Sequence, residues 1–359
     1  MSLESSNVTH YAPGFKITIN GSELDPVAAY SILGLKVEQE LNKTNAFSFE
    51  VQDEFNSGQF KWLESDIFQV ANLVSIAIGY TNNLVKVLEG KIKNINASFH
   101  TGCAPTFTVE GSDSAYDILR VPSDTEVFNE KRDSDIVKKI VDKVPGLTGE
   151  VDATEPVTAV KTKKGGKSYL EFLQRIADDN HYEFFLGGRR LYFKKKKDAH
   201  KDSVATLHWG KDLIRFEPQL NTSAAVTEVI VRGWDSAGKK QIEGRARAGE
   251  EDARESEKRT SSQITKSLFG EVVKVITDQP VRSVAEAKRI ALSELNKVSN
   301  NLLQATVDTI GIPELTPGAC VDIDGFGRLF SGKYYILKAV HSIGADGYRS
   351  SLTVQRNAV

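Results

Sequence analysis

The chain has few of the residues that build disulfide frameworks and metal centres. Its 359 residues include two cysteines and six histidines. Cys103 and Cys320 lie in unrelated contexts, and no histidine has a second ligand at a metal-binding spacing. We therefore predict no disulfide, no metal site and no cofactor. This cysteine usage is typical of a protein that folds in a reducing cytoplasm.

Long apolar runs and an excess of charge are also missing. No apolar stretch approaches the roughly 18 residues that cross a bilayer, and the first six residues lack the basic and apolar segments of a signal peptide. The formal net charge of −2 provides no basic field, which argues against nucleic-acid recognition. We expect a soluble protein with no stable membrane anchoring.

The sequence contains no complete catalytic motif. GGKS at residues 165–168 lacks the earlier glycine of a phosphate-binding loop, because that position holds Lys161. No Gly-x-Ser-x-Gly elbow occurs. Asp322 and Asp324 lie two residues apart on a predicted strand, and we expect them to face water rather than to act as a glycosidase pair. We predict that the chain is not an enzyme.

What the sequence does contain is a repeat of one β-rich pattern. VEQELN at residues 37–42 is echoed by FEPQLN at residues 216–221. Four segments recur in the same order. Residues 37–42 match 216–221, and residues 47–51 match 229–231. Residues 90–95 match 332–337, and residues 106–109 match 351–354. Short β-rich matches also arise by chance, but the shared order favours a true duplication. A duplicated unit would let a ring of three subunits present six similar units.

The predicted fold is mainly β with one α+β module. Short alternating segments separated by turns, such as FKITI at residues 15–19 before Asn20-Gly21, predict a small antiparallel β-barrel. The predicted boundaries are an N-terminal arm (1–13), a first tube-like β-barrel (14–112), the α+β module (113–200), the first part of a second, similar barrel (201–247), an insertion of charged loop and helix (248–300) and the second part of that barrel (301–359).

Helix signals support the module and the insertion. Ser134 is a candidate cap for a helix over residues 135–143, and Ser168 with Glu171 forms a capping box for a helix over residues 169–180. Ser283 and Glu286 form a second capping box that opens a helix to about residue 298. The charged segment 245–262 is predicted to be a mobile linker or an exposed loop.

Several motifs, taken in order, resemble the late control protein D and VgrG families, which are baseplate hub proteins of contractile phage tails and related injection machines. The longest is KSYLEFLQRIA running into HYEFF. The motifs lie at 167–177, 181–185, 207–213, 229–235, 311–318, 330–334, 340–341 and 347–348. Each is degenerate alone, and their order across residues 15–357 carries the resemblance.

The resemblance implies a homotrimeric ring with two tube-like β-barrels per subunit, placed between a sixfold inner tube and a threefold spike. It implies a structural role without catalysis, with a tube or tube-initiator protein, a spike and other baseplate proteins as partners. VgrG proteins continue into a spike, whereas this sequence stops at Val359, so we expect the spike to be a separate protein. Assembly is expected in the bacterial cytoplasm, as part of a virion tail baseplate or a phage-tail-like particle.

Two loops at equivalent places in the repeat are predicted to contact the tube. Their residues are Asn42, Lys43, Thr44, Asn45, Asn221, Thr222 and Ser223. Alternative hypotheses remain open: a hub of a non-contractile tail, a cell-wall glycosidase carried on a tail, or a carbohydrate-binding module centred on residues 113–200.

Overall fold

The computed structural model describes residues 12–81, 83–129, 132–156, 160–180, 182–187, 190–195, 202–223, 225–235, 238–251, 258–279 and 281–359. These residues form a mostly β protein dominated by antiparallel strands, which confirms the predicted fold class. Two similar β units are connected in sequence by an α+β module, and the second unit is interrupted by an insertion.

The first β unit follows from alternating apolar residues. Ile17 and Ile19 of its first strand are buried, whereas Lys16 is exposed and Thr18 is half-buried. Asn20 and Gly21 take left-handed φ values of 50° and 86°, which fits the predicted hairpin turn. The elements are β1 (Pro13–Ile19), β2 (Ser22–Glu23), α1 (Pro26–Tyr30), β3 (Ile32–Glu40), β4 (Ala46–Gln52), β5 (Phe55–Asn56), β6 (Gln59–Phe60), β7 (Leu73–Tyr80), β8 (Asn83–Ser98) and β9 (Thr106–Ser112).

Six of these strands are paired in the order β3-β4-β9-β8-β7-β1 and enclose a core of their own. Phe68 lies at its centre, with ring centroids 5.8 Å from Phe49 and 5.6 Å from Phe107. All three rings are buried, and each contributes a large apolar area to this core.

The α+β module has a separate core formed by three helices and a small sheet. Lys163 ties its turns together, because the buried Nζ donates to the backbone carbonyls of Ser123, Asp124 and Lys167 at 2.7–3.0 Å. The elements are α2 (Ser114–Arg120), β10 (Pro122–Ser123), β11 (Glu126–Phe128), α3 (Asp133–Asp142), β12 (Thr148–Val151), β13 (Lys161–Lys163), β14 (Lys167–Ser168), α4 (Tyr169–Asn180), β15 (Tyr182–Gly187) and β16 (Arg190–Lys195).

The remaining elements form the second β unit and its insertion. They are β17 (Ser203–His208), β18 (Leu213–Leu220), β19 (Glu228–Asp235), β20 (Lys240–Arg247), α5 (Ser261–Phe269), β21 (Val273–Ile276), α6 (Val284–Ser299), β22 (Leu303–Ile310), β23 (Cys320–Asp324), α7 (Gly327–Phe330), β24 (Gly332–Gly344) and β25 (Gly347–Arg356). The second unit is paired in the order β18-β22-β25-β24-β23-β17.

The two units share one strand connectivity. In chain order, β1, β3, β4, β7, β8 and β9 correspond to β17, β18, β22, β23, β24 and β25, and corresponding strands have corresponding neighbours. One pair differs in direction, because β1 pairs antiparallel with β7 whereas β17 pairs parallel with β23. The repeat in the sequence therefore has a structural counterpart.

The predicted repeat is wrong in detail. Residues 229–231 were expected to match β4, but β19 pairs with β20 and β21 in a separate sheet, and β22 takes that place beside β18. The predicted match of 90–95 with 332–337 is also out of register by two residues. The bulges after Ile92 in β8 and after Ile336 in β24, and the ends of the pairings with β7 and β23, make Lys91 the counterpart of Tyr335.

The insertion is consequently larger than predicted. The sheet of β19, β20 and β21 packs against α6 around a separate apolar core, so residues 228–247 belong with the insertion rather than with the second unit. Part of the charged segment 245–262 has regular secondary structure, because it includes the end of β20 and the start of α5. Residues 252–257 lie outside the described part of the chain.

The helix caps only partly follow the predictions. Ser168 and Glu171 form the reciprocal capping box, since the Ser168 amide donates to the Glu171 carboxylate and the Glu171 amide donates to Ser168 Oγ. Ser283 accepts from the Glu286 amide, but the Glu286 carboxylate accepts from Arg282 instead. Ser134 is not a cap, because α3 begins at Asp133 and the Ser134 amide donates to Thr154.

Direct strand pairing joins the two β units. β24 of the second unit pairs antiparallel with β3 of the first, from Lys338 opposite Glu40 to Ile343 opposite Leu35. His341 lies in this seam, fully buried, with Nδ1 2.9 Å from the Tyr348 hydroxyl and 3.1 Å from Ser350 Oγ. Burial lowers the pKa of His341 to about 4, so the imidazole is neutral at neutral pH.

We expect this buried imidazole to make the seam sensitive to acid. Between pH 6.5 and about 4 the unfolded chain binds a proton that folded His341 does not, so stability falls as the pH falls, by about 3 kcal/mol in total. His341→Gln should lack this slope when unfolding free energies are measured across that range. Asp113, whose pKa burial raises to about 6, has the opposite slope but is common to both proteins.

The matched control is His100→Gln, which changes an exposed histidine on the turn between β8 and β9. A change of slope in His341→Gln that His100→Gln does not share would be specific to the buried site. If the unfolding free energies of the parent and of His341→Gln change equally with pH, the low pKa of His341 is refuted.

Candidate functional site

The loop between β3 and β4 holds the α+β module on the first β unit. The Asn42 carbonyl accepts from the Tyr116 hydroxyl at 3.1 Å and from Gln174 Nε2 at 2.7 Å. Asn45 is buried, and its Nδ2 donates to the Leu186 carbonyl at 2.7 Å. Asn42 takes a φ of 60°, a left-handed conformation that asparagine tolerates better than most residues. These two predicted contact residues therefore make internal contacts.

The other two residues of this loop differ in exposure. Thr44 is half-buried and hydrogen bonds to Tyr116. Lys43 is exposed, and its Nζ lies 2.6 Å from a carboxylate oxygen of Glu40. Lys43 is consequently the residue of this loop that most readily reaches another protein.

The second predicted loop begins the insertion. Asn221 is exposed, and its side-chain oxygen accepts from the Ser223 amide at 2.8 Å, which closes a local turn. Thr222 is half-buried, and its carbonyl accepts from the Ala225 amide. Asn221 and Ser223 are therefore exposed to solvent.

Both loops lie at one end of the β units, which we call the module end. Glu40 ends β3 and is opposite Lys338, on the half of β24 that is far from the hairpin turn at residues 345–346. Leu220 ends β18 on the same side, because Leu303 opposite it is paired in turn with Arg356. The structure therefore places the two predicted loops at the same end of the molecule.

The module and the insertion also meet at this end. Ser293 Oγ on α6 donates to the Asp178 carbonyl on α4 at 2.7 Å. Burial raises the pKa of the Asp178 carboxyl. The opposite end, which we call the turn end, carries the hairpin turns of β8–β9 and β24–β25 and is outside this contact.

A cavity of about 910 Å³ lies where the module meets both β units. Gln39 lines it and donates from Nε2 to the Val87 carbonyl at 2.7 Å. Beside it the Tyr335 hydroxyl donates to the buried Glu183 carboxylate, which links the second unit to the module. The contact between Tyr335 and Glu183 crosses the junction, whereas Gln39 and Val87 both belong to the first unit. Sequence reasoning missed them, because no local pattern indicates which residues 40 or more positions apart will meet.

No arrangement suited to metal binding is found in the described part of the chain, where no three His, Cys, Asp or Glu side chains cluster. Asp322 is half-buried and Asp324 exposed, alternating with the buried Val321 and Ile323. The two carboxylates thus face away from the core, as predicted. In the described residues, no helix is long and apolar enough to cross a membrane.

The Alg8 N-terminal domain family model matches residues 9–345 of the chain. No curated protein matches it. Among solved structures, a tail protein from Neisseria meningitidis MC58 is similar with a TM-score of 0.71 and 13% identity, over 96% of this chain and 97% of that one. The 43 kDa tail protein of prophage MuSo2 from Shewanella oneidensis has a TM-score of 0.71 and 15% identity, over 96% and 98%.

A third similar structure is a component of the Escherichia coli type VI secretion system, itself described as structurally similar to T4 bacteriophage tail proteins gp27 and gp5. Its TM-score is 0.56 at 13% identity, over 94% of this chain and 76% of that one. At these identities the likeness establishes a shared fold.

We predict that Asn45→Ala loosens the module from the first β unit. The substitution leaves the buried Leu186 carbonyl without its donor, which typically costs about 1–3 kcal/mol. Hydrogen exchange should accelerate in β15 and α4, and the unfolding midpoint should fall.

Lys43→Ala is the matched control in the same loop. It removes an exposed ion pair, which is worth at most about 1 kcal/mol, and should leave exchange in β15 unchanged. Indistinguishable behaviour of the two variants would contradict the anchoring role of Asn45.

Proposed function

The chain belongs to the Alg8 N-terminal domain family, and from its fold we propose that it is a structural hub protein of a contractile phage tail or phage-tail-like injection particle. In this proposal three copies form a ring that adapts a sixfold inner tube to a threefold spike. The similarity to tail proteins from two bacterial species and to a type VI secretion component supports a place in a phage tail or a related injection particle.

The observation that carries the proposal is the duplication. Two β units with one strand connectivity lie edge to edge in each chain, joined by β24 and β3. Three such chains in a ring would present six similar units to a sixfold tube. No other proposed role, whether glycosidase or carbohydrate-binding module, requires two similar units of this kind.

The parts that occur once per chain suit a different partner. The α+β module and the insertion follow β9 and β18, and neither has a counterpart elsewhere in the described chain. A ring of three would show each of them three times. We propose that these single-copy parts meet baseplate partners that recur three times around the ring, while the repeated β units meet the tube.

The proposed role is mechanical and involves no chemical step. The ring would begin tube assembly, transmit the stroke of the sheath and surround a passage for cargo. It would assemble in the bacterial cytoplasm and remain in the tail baseplate or particle, together with other baseplate proteins. A hub of a non-contractile tail would use the same ring.

Within this proposal the exposed residues Lys43, Asn221 and Ser223 contact the tube. They occupy corresponding places at the ends of β3 and β18, so they recur around the ring at nearly sixfold positions. Asn42 and Asn45 support the contact indirectly, because they fix the loop that presents Lys43.

Asn221→Arg tests this contact. The side chain is exposed, so the substitution should leave folding intact, and its bulk and charge should reduce the amount of tube protein that co-purifies with the chain by severalfold. Thr101→Arg is the matched control, an exposed residue on the turn between β8 and β9 at the turn end.

If Thr101→Arg reduces co-purification of the tube protein and Asn221→Arg does not, the tube binds the turn end. Lys43, Asn221 and Ser223 would then not be the contact residues. Failure of either tube or spike protein to co-purify with the parent chain, when all three are expressed together, would overturn the proposed function.

A further inference from the structure

The cavity between the module and the two β units, which we call the junction cavity, has a volume of about 910 Å³. That volume lies in the upper part of the roughly 300–1,000 Å³ range of pockets that hold ligands. Its walls come from β3 and β8 of the first unit, from β15 and β16 of the module, and from β17 and the loop before β23 of the second unit. The junction cavity therefore exists only where all three parts of one chain meet.

A buried side-chain acceptor at its wall lacks a donor. Gln39 is 9% exposed, and its Nε2 donates to the Val87 carbonyl at 2.7 Å. This bond assigns the other end of the amide as oxygen, and Gln39 Oε1 has no hydrogen-bond partner among the described residues. A buried acceptor without a donor costs free energy. An N–H group of a ligand in the cavity would satisfy it.

The module provides the apolar surface of the junction cavity. Phe185 and Tyr192 are half-buried, with stacked rings whose centroids lie 4.7 Å apart. Phe185 also lies against Gly318 of the second unit, where an added Cβ would be 3.6 Å from the ring. Val204 on β17 is 42% exposed and lines the same cavity. An apolar side chain of a ligand would cover these groups and remove them from water.

Charged side chains of both signs surround this apolar surface. Arg190 is exposed on the module, and the Glu150 carboxylate, 4.0 Å from it, is held more closely by Lys194 at 2.5 Å. Asp202 is exposed on the second unit. Arg190 can therefore bind a carboxylate of a ligand, and Asp202 can bind an ammonium or guanidinium group.

These features together favour one class of ligand. The charged residues that line the cavity are Lys86, Arg190, Glu40, Glu89 and Asp202, so acidic groups outnumber basic ones. A nucleotide or an anionic lipid would bring its phosphate beside the carboxylates, which is unfavourable. A neutral sugar would give Arg190 and Asp202 no counter-charge. A peptide provides N–H donors, apolar side chains and charges of both signs.

We propose that the junction cavity binds an extended peptide segment of a partner protein. A backbone N–H of the segment donates to Gln39 Oε1, and an apolar side chain packs on Phe185 and Tyr192. An acidic side chain binds Arg190, and a basic side chain binds Asp202. The identity of the partner rests on the proposed function. Because the module occurs once per chain, the segment belongs to a baseplate protein that recurs three times around the ring.

A bound segment would also stiffen the junction. Within the chain, Asn45 holds the module to the first unit, and Glu183 joins it to Tyr335 of the second unit. The segment would add contacts to all three parts at once. Binding should therefore slow hydrogen exchange in β15.

Selection of displayed linear peptides of random sequence on the purified chain tests the ligand class. The recovered peptides are expected to share an apolar residue with an acidic and a basic residue nearby. Synthetic copies should bind the parent chain severalfold more tightly than Arg190→Ala or Asp202→Ala, as measured by isothermal titration calorimetry. Both side chains are exposed, so these variants should fold normally.

A charge exchange makes the assignment specific. Replacing the acidic residue of a selected peptide with lysine should weaken binding to the parent chain and restore binding to Arg190→Glu. Gln39→Leu, which removes the unpartnered acceptor, should weaken binding of the original peptide severalfold. Lys138→Ala is the matched control, because Lys138 is an exposed cation of α3 in the same module that does not line the cavity. It should leave the affinity unchanged.

A thiol at the rim reports where the peptide binds. Val204→Cys introduces this thiol into the parent chain, and the native Cys103, exposed near the turn end, is the internal control. A bound peptide should slow the reaction of the introduced thiol with N-ethylmaleimide severalfold and leave that of Cys103 unchanged. Mass spectrometry measures the two sites separately.

The outcomes separate this inference from the proposed function, because one chain contains the whole junction cavity. Selected peptides that bind all variants equally, or that leave the introduced thiol unprotected, would overturn the site. Recovery of no linear peptide would overturn the peptide ligand. Neither result affects the ring. Selective binding by a chain that fails to co-purify with tube and spike proteins would support the site and overturn the proposed function.

Discussion

The pairing of β24 with β3 is the contact on which the rest of this structure depends. It converts two separate β units into one continuous run of strands, and it covers the edge that each would otherwise expose. The seam buries His341 and Ala339 in its interior and places the ion pair of Lys338 and Glu38 on its outer side. Because register is set along the whole seam, the relative placement of the two units is fixed by backbone hydrogen bonds rather than by flexible side chains.

This fixed placement gives the molecule two distinct ends. At the module end, Asn42 and Asn45 hold the α+β module, and α6 of the insertion contacts α4. Tyr335 and Glu183 join the module to the second unit. A load applied to one part would therefore pass through several independent contacts, which suits the mechanical role that we propose.

Much of the fold could be predicted from the sequence, because its signals are local. The turn at Asn20-Gly21, the capping box of Ser168 and Glu171 and the alternation of buried residues in β1 and β4 all appear where they were expected. The repeat was visible in part, because three of the four matched segments fall on corresponding strands, β3 and β18, β8 and β24, and β9 and β25. These features depend on neighbours within a few residues.

The errors arose where distant residues decide the structure. β19 alternates like a barrel strand, yet its partners are β20 and β21, and only the core shared with α6 reveals this. Asn45 looked like an exposed loop residue, but its partner is the carbonyl of Leu186, 141 positions away. Side-chain amides fit loops and buried joints equally well, so residue type could not distinguish a contact surface from an internal anchor.

Electron microscopy of the purified chain at high concentration, alone and with the spike protein added, tests the central claim most directly. The account predicts class averages with threefold symmetry, an open centre and six similar peripheral lobes, with extra density from the module and insertion on one face. Compact single-chain particles under both conditions would contradict it.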